Sequence, residues 1–406
     1  MNKPAKLILS LGALLMMAGC STNGGQSYTP GTGVKVGLIC LHDDSSTYDK
    51  NFIDSMNAAV ESLGSKVSSK IIKTGVAEGN ECYIAAKDLV KQGCNVIFAD
   101  SFGHEAFMLK AAKEFPNVTF CHATGTQAKT ANQSNYHNAF ASIYEGRYLA
   151  GYAAGLKLQS MVNSLKDSNY DDKGNIKLGY VGAFPYAEVV SGYTSWFLGV
   201  QAVVPNVVMD VQYTRAWYTL DGERDAANML ITRGAALVSQ HADSMGAPNA
   251  CAEANVPNVT YNLFTDGAVS YSKIDWAPYY KAVINAIYDG KAIDGEFNNN
   301  WTGTLATGSV VWDVRDPAAK AATALIEAEL KNGTRKVFDC SKFTVNGKHL
   351  TTYLADVDDL DDNFQHETEA IKTEGTLSFF NESAGRSAPY FDIRIDGITE
   401  LNPGNN

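Results

Sequence analysis

Residues 94–122, CNVIFADSFGHEAFMLKAAKEFPNVTFCH, decide the fold class. Cys94 to Ala99 reads as a strand, apolar from Val96 onward. His104 to Phe115 reads as a helix, because Phe107, Met108, Ala111, Ala112 and Phe115 recur on one side. Pro116 has no N–H for a further turn and stops it. Val118 to His122 is the next short strand. Strand, helix and strand with short links make a βαβ unit, whose strands run parallel.

Reading outward extends the pattern in both directions. Toward the N-terminus lie a strand at Lys35–Leu41, a helix carrying Phe52, Met56, Ala59, Val60 and Leu63 up to Gly64, a strand at Val67–Ile72, and a helix from Glu81 to Gln92. The strands are near-continuous apolar runs, as expected when both faces of a parallel sheet are covered. A helix from Ala141 to about Leu158 then leads away, and polar residues 160–175 form a surface loop. A second series follows, with strands at 176–181, 207–213, 236–239 and 259–263 and helices at 189–203, 222–232 and 245–254. The two series are alike in size without a clear sequence repeat, so two α/β lobes are expected rather than a solenoid. Helices at 275–288 and 317–330 and strand-like pieces in 303–313 complete the body. The acidic run DVDDLDD, 356–362, lacks calcium-loop spacing and reads as a solvated loop.

The N-terminus carries Lys3, Lys6 and the apolar run LILSLGALLMMA, 7–18. That run is too short to span a bilayer permanently and suits an export signal. It ends in Met17-Ala18-Gly19-Cys20, which resembles a bacterial lipobox with Cys20 as the lipidated residue. The Gly-rich stretch after it reads as a flexible tether. The expected organisation is a signal at 1–19, a tether at 20–33, lobe 1 at 34–140 plus about 277–340, lobe 2 at 141–276, and an extension at 341–406 packed on the lobes. The formal charge is −11, and −13 without Lys3 and Lys6. No basic patch occurs, which argues against nucleic acid as a partner. Six cysteines remain after Cys20, with no C-x-x-C, and at most one disulfide is expected.

Several segments, in order and behind the lipobox, carry a family likeness. They are KVGLICLHDDSSTYDKNF (35–52), EGRYLAGYAAG (145–155), KLGYVGAFPYAEVVSGYTSWFLGVQAVVPNV (177–207), YTRAWYTLDGERDAANMLITRGAALVSQHADSMG (213–246) and IDWAPYYKAV (274–283). Together they resemble the basic-membrane-protein family of lipoproteins, the nucleoside and purine receptors of ABC importers. The resemblance implies a type I periplasmic-binding-protein fold, with lobes joined by three crossovers and a ligand between them. It implies a purine nucleoside or related nucleobase as ligand, an ABC permease and ATPase as partners, and lipid anchorage on the extracytoplasmic face of a membrane. It matches Asp43 or Asp44 to an early family aspartate, and Asp49-Lys50-Asn51-Phe52-Ile53 to an Asp-Lys-Ser-Phe-Asn segment.

The residues support a site of that kind. A purine nucleoside presents flat apolar faces, a polar edge and vicinal hydroxyls, so it needs aromatics, an amide or acid, and a carboxylate. In parallel sheets ligands sit beyond the carboxyl ends of strands. Candidates there are Asp43, Asp44, Asp49, Asn51 and Phe52 after the first strand, and Ser101 and Phe102 after the third. In the second lobe they are Phe184, Trp217, Asp243 and Asn262, with Trp276 at the start of the returning helix. Asp49 also suits a helix cap, Phe52 and Trp276 also suit the core, and Trp217 is the ring hardest to leave in water. Gly151 and Gly155 suit close helix packing. No metal or cofactor is expected. The chain lacks G-x-G-x-x-G, a P-loop, H-E-x-x-H and G-x-S-x-G, so an enzyme is disfavoured. A sensory receptor with the same fold, or an exported hydrolase using His42 or His241, are the alternatives.

Overall fold

The computed structural model describes residues 28–293, 300–357 and 367–404. The signal, Cys20, most of the tether and residues 358–362 of the acidic run lie outside them. In chain order the strands are β1 Val34–Ile39, β2 Val67–Lys73, β3 Val96–Ala99, β4 Thr119–Ala123, β5 Tyr136–Ala141, β6 Ile176–Gly182, β7 Val207–Tyr213, β8 Val238–His241, β9 Asn258–Tyr261, β10 Ala268–Ile274, β11 Asn300–Gly303 and β12 Val310–Val314. The helices are α1 Thr47–Leu63, α2 Asn80–Lys91, α3 Glu105–Glu114, α4 Ile143–Met161, α5 Ala187–Gln201, α6 Leu220–Thr232, α7 Gly246–Ala254, α8 Ala277–Tyr288 and α9 Pro317–Lys331.

The first lobe is a parallel sheet in the order β11-β5-β4-β3-β1-β2. Val36, Leu38, Val96 and Phe98 share a core with Phe52 and Met56 of α1 and Tyr280 and Val283 of α8. Ile39, Ile97 and Phe120 point the other way, into a core with α2 and α3. This alternation of two buried faces explains the continuous apolar strands. The second lobe has the order β12-β10-β9-β8-β6-β7, antiparallel only between β10 and β12, with a tail strand Ile398–Glu400 parallel to β7 at the edge.

Among the described residues three crossovers join the lobes: β5 to α4, β10 to α8, and β11 to β12. Backbone bonds stitch them side by side. Ser142 N donates to Gly303 O at 2.7 Å, and Asp275 N to Ser309 O at 2.7 Å. The chain therefore leaves lobe 1 again after β11, whereas the sequence places everything to 340 there. β12 pairs with β10, and α9 packs on α4, because their apolar faces complete the second lobe's core.

α4 and α5 form the most extensive helix contact. A Cβ on Gly151 would lie 2.2 Å from Trp196 O, and one on Gly155 would lie 2.9 Å from the Val203 side chain. The small residues thus let two backbones approach where even alanine has no room. The six cysteines in the described residues, Cys40, Cys82, Cys94, Cys121, Cys251 and Cys340, are buried free thiols. Among the described residues no helix is long and apolar enough to cross a membrane.

Candidate functional site

The carboxyl ends of both sheets face each other across a narrow cleft. Leu41, Tyr48, Asp49, Ser101, Phe102 and Thr124 line it from lobe 1, and Glu188, Trp217, His241 and Asp243 from lobe 2. The lobes touch around its mouth. Thr47 N donates to Asp243 O at 2.8 Å, Phe102 stacks on Tyr186 at 5.4 Å, and His42 meets Tyr218 at 5.4 Å. This is the closed form of a two-lobed cleft.

On the lobe 1 side, the start of α1 sets the acid. Ser46 caps the helix, its hydroxyl accepting from Asp49 N at 3.2 Å. That places the Asp49 carboxylate inward, where it accepts from His42 N at 2.8 Å and Ser46 Oγ at 2.5 Å. Burial pushes this carboxyl up, but the bonds from His42 and Ser46 outweigh it and hold Asp49 below the usual range. Asp100 beside it behaves oppositely. Burial first, and the Asp49 charge second, push it well above the ordinary carboxylate value. Cys40, Asp49 and Asp100 bring their polar atoms within 4.8 Å of one another. Burial and the two acids also push the Cys40 thiol up, so Cys40 keeps its proton at neutral pH.

On the lobe 2 side, Asp243 N donates to Trp217 O at 3.0 Å, which ties the acid to the aromatic loop. Burial, then the charges of Asp49, Glu223 and Glu188, push the Asp243 carboxyl well up. Glu188, in the first turn of α5, is pushed up to about 7 by burial. His241 Nε2 lies 3.3 Å from Glu188 Oε1, and burial together with nearby Arg147 keeps the imidazole neutral. Arg147 is 1% exposed behind this group. Its guanidinium lies 3.6 Å over the Tyr261 ring, and its Nη1 donates to Gln240 O at 2.7 Å and Tyr180 Oη at 3.0 Å.

Rings form the remaining wall. Phe184 stacks on Tyr186 at 5.1 Å and meets Trp217 edge-on at 5.1 Å. The cleft therefore offers flat apolar faces beside one ionised carboxylate, protonatable acids and a neutral imidazole, a set suited to holding an uncharged polar ring.

Of the residues expected from the sequence, Asp49, Ser101, Phe102, Trp217 and Asp243 line one cavity. Phe184 supports it from behind through Trp217 and Tyr186. Asp43 and Asp44 do not line it. Both are exposed, and Asp43 turns back to accept from Ser45 N at 3.0 Å and Ser45 Oγ at 2.5 Å. Asn51 is buried in the crossover, donating to Ile274 O at 2.7 Å. Phe52 and Trp276 stack on each other at 4.4 Å in the core beneath. Asn262 is buried outside the cavity wall, with φ of 65°. Sequence reasoning missed Tyr48, Thr124, Glu188 and Arg147. Tyr48 adjoins Asp49 in the same helical turn, and Arg147 is the one cation between Ser142 and Leu156, so both carried a signal.

Two parallel-sheet lobes, three crossovers and a cleft lined from both sides define a type I periplasmic-binding architecture. A solute-binding protein from Conexibacter woesei shares it, with a TM-score of 0.59 at 19% identity over 75% of this chain and 98% of that one. Another from Aeropyrum pernix gives 0.61 at 12% identity over 78% and 94%. The family model Bmp, ABC transporter substrate-binding protein PnrA-like, matches residues 36–271, and the chain belongs to that family. It is 31% identical over 316 residues to a purine-binding protein of Brucella abortus, covering 75% of this chain and 83% of that protein. It is also 31% identical over 258 residues to a putative ABC transporter glucose-binding protein of Haloferax volcanii, covering 61% and 60%. The chain is thus a solute-binding component of an ABC importer. Membership implies a non-catalytic role, a permease and ATPase as partners, and an extracytoplasmic setting.

Proposed function

We propose that this receptor binds a purine nucleoside or free purine base in the closed cleft, anchored to its membrane through lipid on Cys20. The observation that supports the ligand best is the meeting of Phe102 and Trp217, from opposite lobes, in one cavity with Asp49, Asp243 and Glu188. The rings would hold the base faces. The carboxyls would take its donors and, for a nucleoside, the ribose hydroxyls. The Brucella relative's name agrees with this reading. The name of the Haloferax relative favours a hexose, which an aromatic face and carboxylates would also suit.

Calorimetric titration with adenosine, guanosine, inosine, adenine, hypoxanthine and glucose tests this. At least one purine should bind unchanged and more tightly than glucose. Trp217→Ala should weaken that purine by about 1–3 kcal/mol, roughly five- to over a hundredfold, while Trp217→Phe keeps most of the affinity. Full affinity in the Ala variant, or glucose as the tightest solute, would sink the purine reading. For the anchor, Cys20→Ser should move the protein from membranes to the soluble fraction and remove a diacylglycerol-type mass. A wild-type protein without lipid would refute it.

A further inference from the structure

The C-terminal extension has no part in the family match, which ends at residue 271. It is nevertheless packed. Phe338 stacks on Phe391 at 4.1 Å and meets Tyr144 of α4 at 5.3 Å, so the extension shares the second lobe's core. Its end reaches the two loops that carry the aromatic wall of the cleft.

We propose that the extension is a strap that sets this wall, with Arg394 and Asn402 as positioning residues. The inference rests on reading the cleft as the ligand site. The wall's first loop, Ala183 to Tyr186, follows β6, and its second, Thr214 to Thr219, follows β7. Thr214 N and Arg215 N donate to Gly182 O and Ala183 O, both at 2.9 Å, so the loops are tied to each other. The strap holds both from outside. Its strand covers β7, pairing Ile398–Glu400 with Met209–Val211. Asn402 continues the pairing with its side chain, accepting from Tyr213 N at 2.8 Å and donating to Tyr213 O at 2.8 Å. Asn402 O also accepts from Arg215, a residue held at φ of 63° just before the Trp217 turn.

Arg394 holds the other loop. Its Nη2 donates to Pro185 O at 3.3 Å, between Phe184 and Tyr186. Its Nε donates at 3.1 Å to Glu400, which also accepts from Tyr193 Oη at 3.0 Å and Tyr213 Oη at 2.6 Å. One guanidinium thus links the Phe184–Tyr186 turn to the end of β7. The strap also touches lobe 1. Lys129 Nζ donates to Gly385 O at 3.2 Å, and Ser142, at the first crossover, bonds Ser383 at 3.4 Å. Its placement depends on lobe 1 and the crossover as well as on lobe 2.

The test uses the full mature chain and the fluorescence of Trp217. The other four tryptophans are at most 5% exposed, so acrylamide quenching reports Trp217. Without ligand, Arg394→Gln and Asn402→Ala should each raise the quenching constant, and Arg394→Lys should restore it in part. Melting temperatures should stay within about 3 °C of wild type. Affinity for whichever purine probe binds wild type should fall about fivefold, as expected for one lost hydrogen bond. Unchanged quenching in both variants overturns the strap. Failure of both variants to fold overturns it too, because the contacts would then serve stability. If no purine binds wild type, the ligand reading fails and quenching still decides the strap.

Discussion

Replacing Arg147 by Met is expected to cost about 3–5 kcal/mol of folding stability, the range for removing one member of a buried charged group. The residue sits on α4 just beyond the first crossover, and its side chain reaches β6, β8 and β9 at once. Methionine would fill much of its volume and could lie on the Tyr261 ring. It would leave Gln240 O and Tyr180 Oη without their donor in a site closed to water, and that penalty exceeds the worth of the bonds themselves. The loss should also reach the cleft. Arg147 draws Glu188 and Asp243 toward ionisation, so both carboxyls should hold their protons to higher pH in the variant. Urea unfolding at neutral pH measures the first effect. A change below about 1 kcal/mol would mean that the buried cation is no better than a well-packed hydrophobe there.

Arg147 also illustrates what the sequence made legible. Strand–helix alternation stood out because parallel strands bury both faces and so become apolar runs. β5 and β10 escaped notice for the converse reason. They read YHNAFA and AVSYSKI, and each buries a polar side chain in a bond to a distant segment or loop: Asn138 Oδ1 accepts from Ala128 N at 2.7 Å, and Ser270 Oγ donates to Ala150 O at 2.9 Å. Both strands lead into crossovers, where partners come from distant segments that local periodicity cannot see. The site followed the same rule. The loops after the strands bring Ser101, Phe102, Trp217 and Asp243 to the wall of the cleft. Choosing among Asp43, Asp44 and Asp49 depended on where α1 begins. Its cap at Ser46 turns Asp49 inward and leaves the other two in solvent. Phe52 and Trp276 lie one layer too deep, because each finds its flat partner in the other.

Raising the pH from about 6 to 9 should destabilise the ligand-free protein substantially. Among the described residues four glutamates are held above their ordinary value of 4.5 by burial: Glu145, Glu188 and Glu223 at about 7, and Glu382 at about 8. The folded state therefore binds these protons more tightly than the unfolded chain does. That contribution is fully present below about pH 4.5 and is lost as the pH passes through 7 and 8. Each group is worth on the order of a few kcal/mol before relaxation and entering water reduce it. Asp49 acts in the opposite direction, but its stabilisation is lost in acid, outside this window. Glu382 isolates the alkaline effect. It lies in the extension, accepts from Tyr390 N at 3.1 Å through Oε1, and bonds Ser191 Oγ at 3.0 Å through Oε2. Glutamine imitates its protonated form, since the amide oxygen can accept from Tyr390 N while the amide nitrogen donates to Ser191 Oγ. Glu382→Gln should match wild type near pH 4.5 and melt increasingly higher than it as the pH rises toward 9. Parallel losses in the two proteins would show that Glu382 ionises without cost, and that its environment opens to water before the fold does.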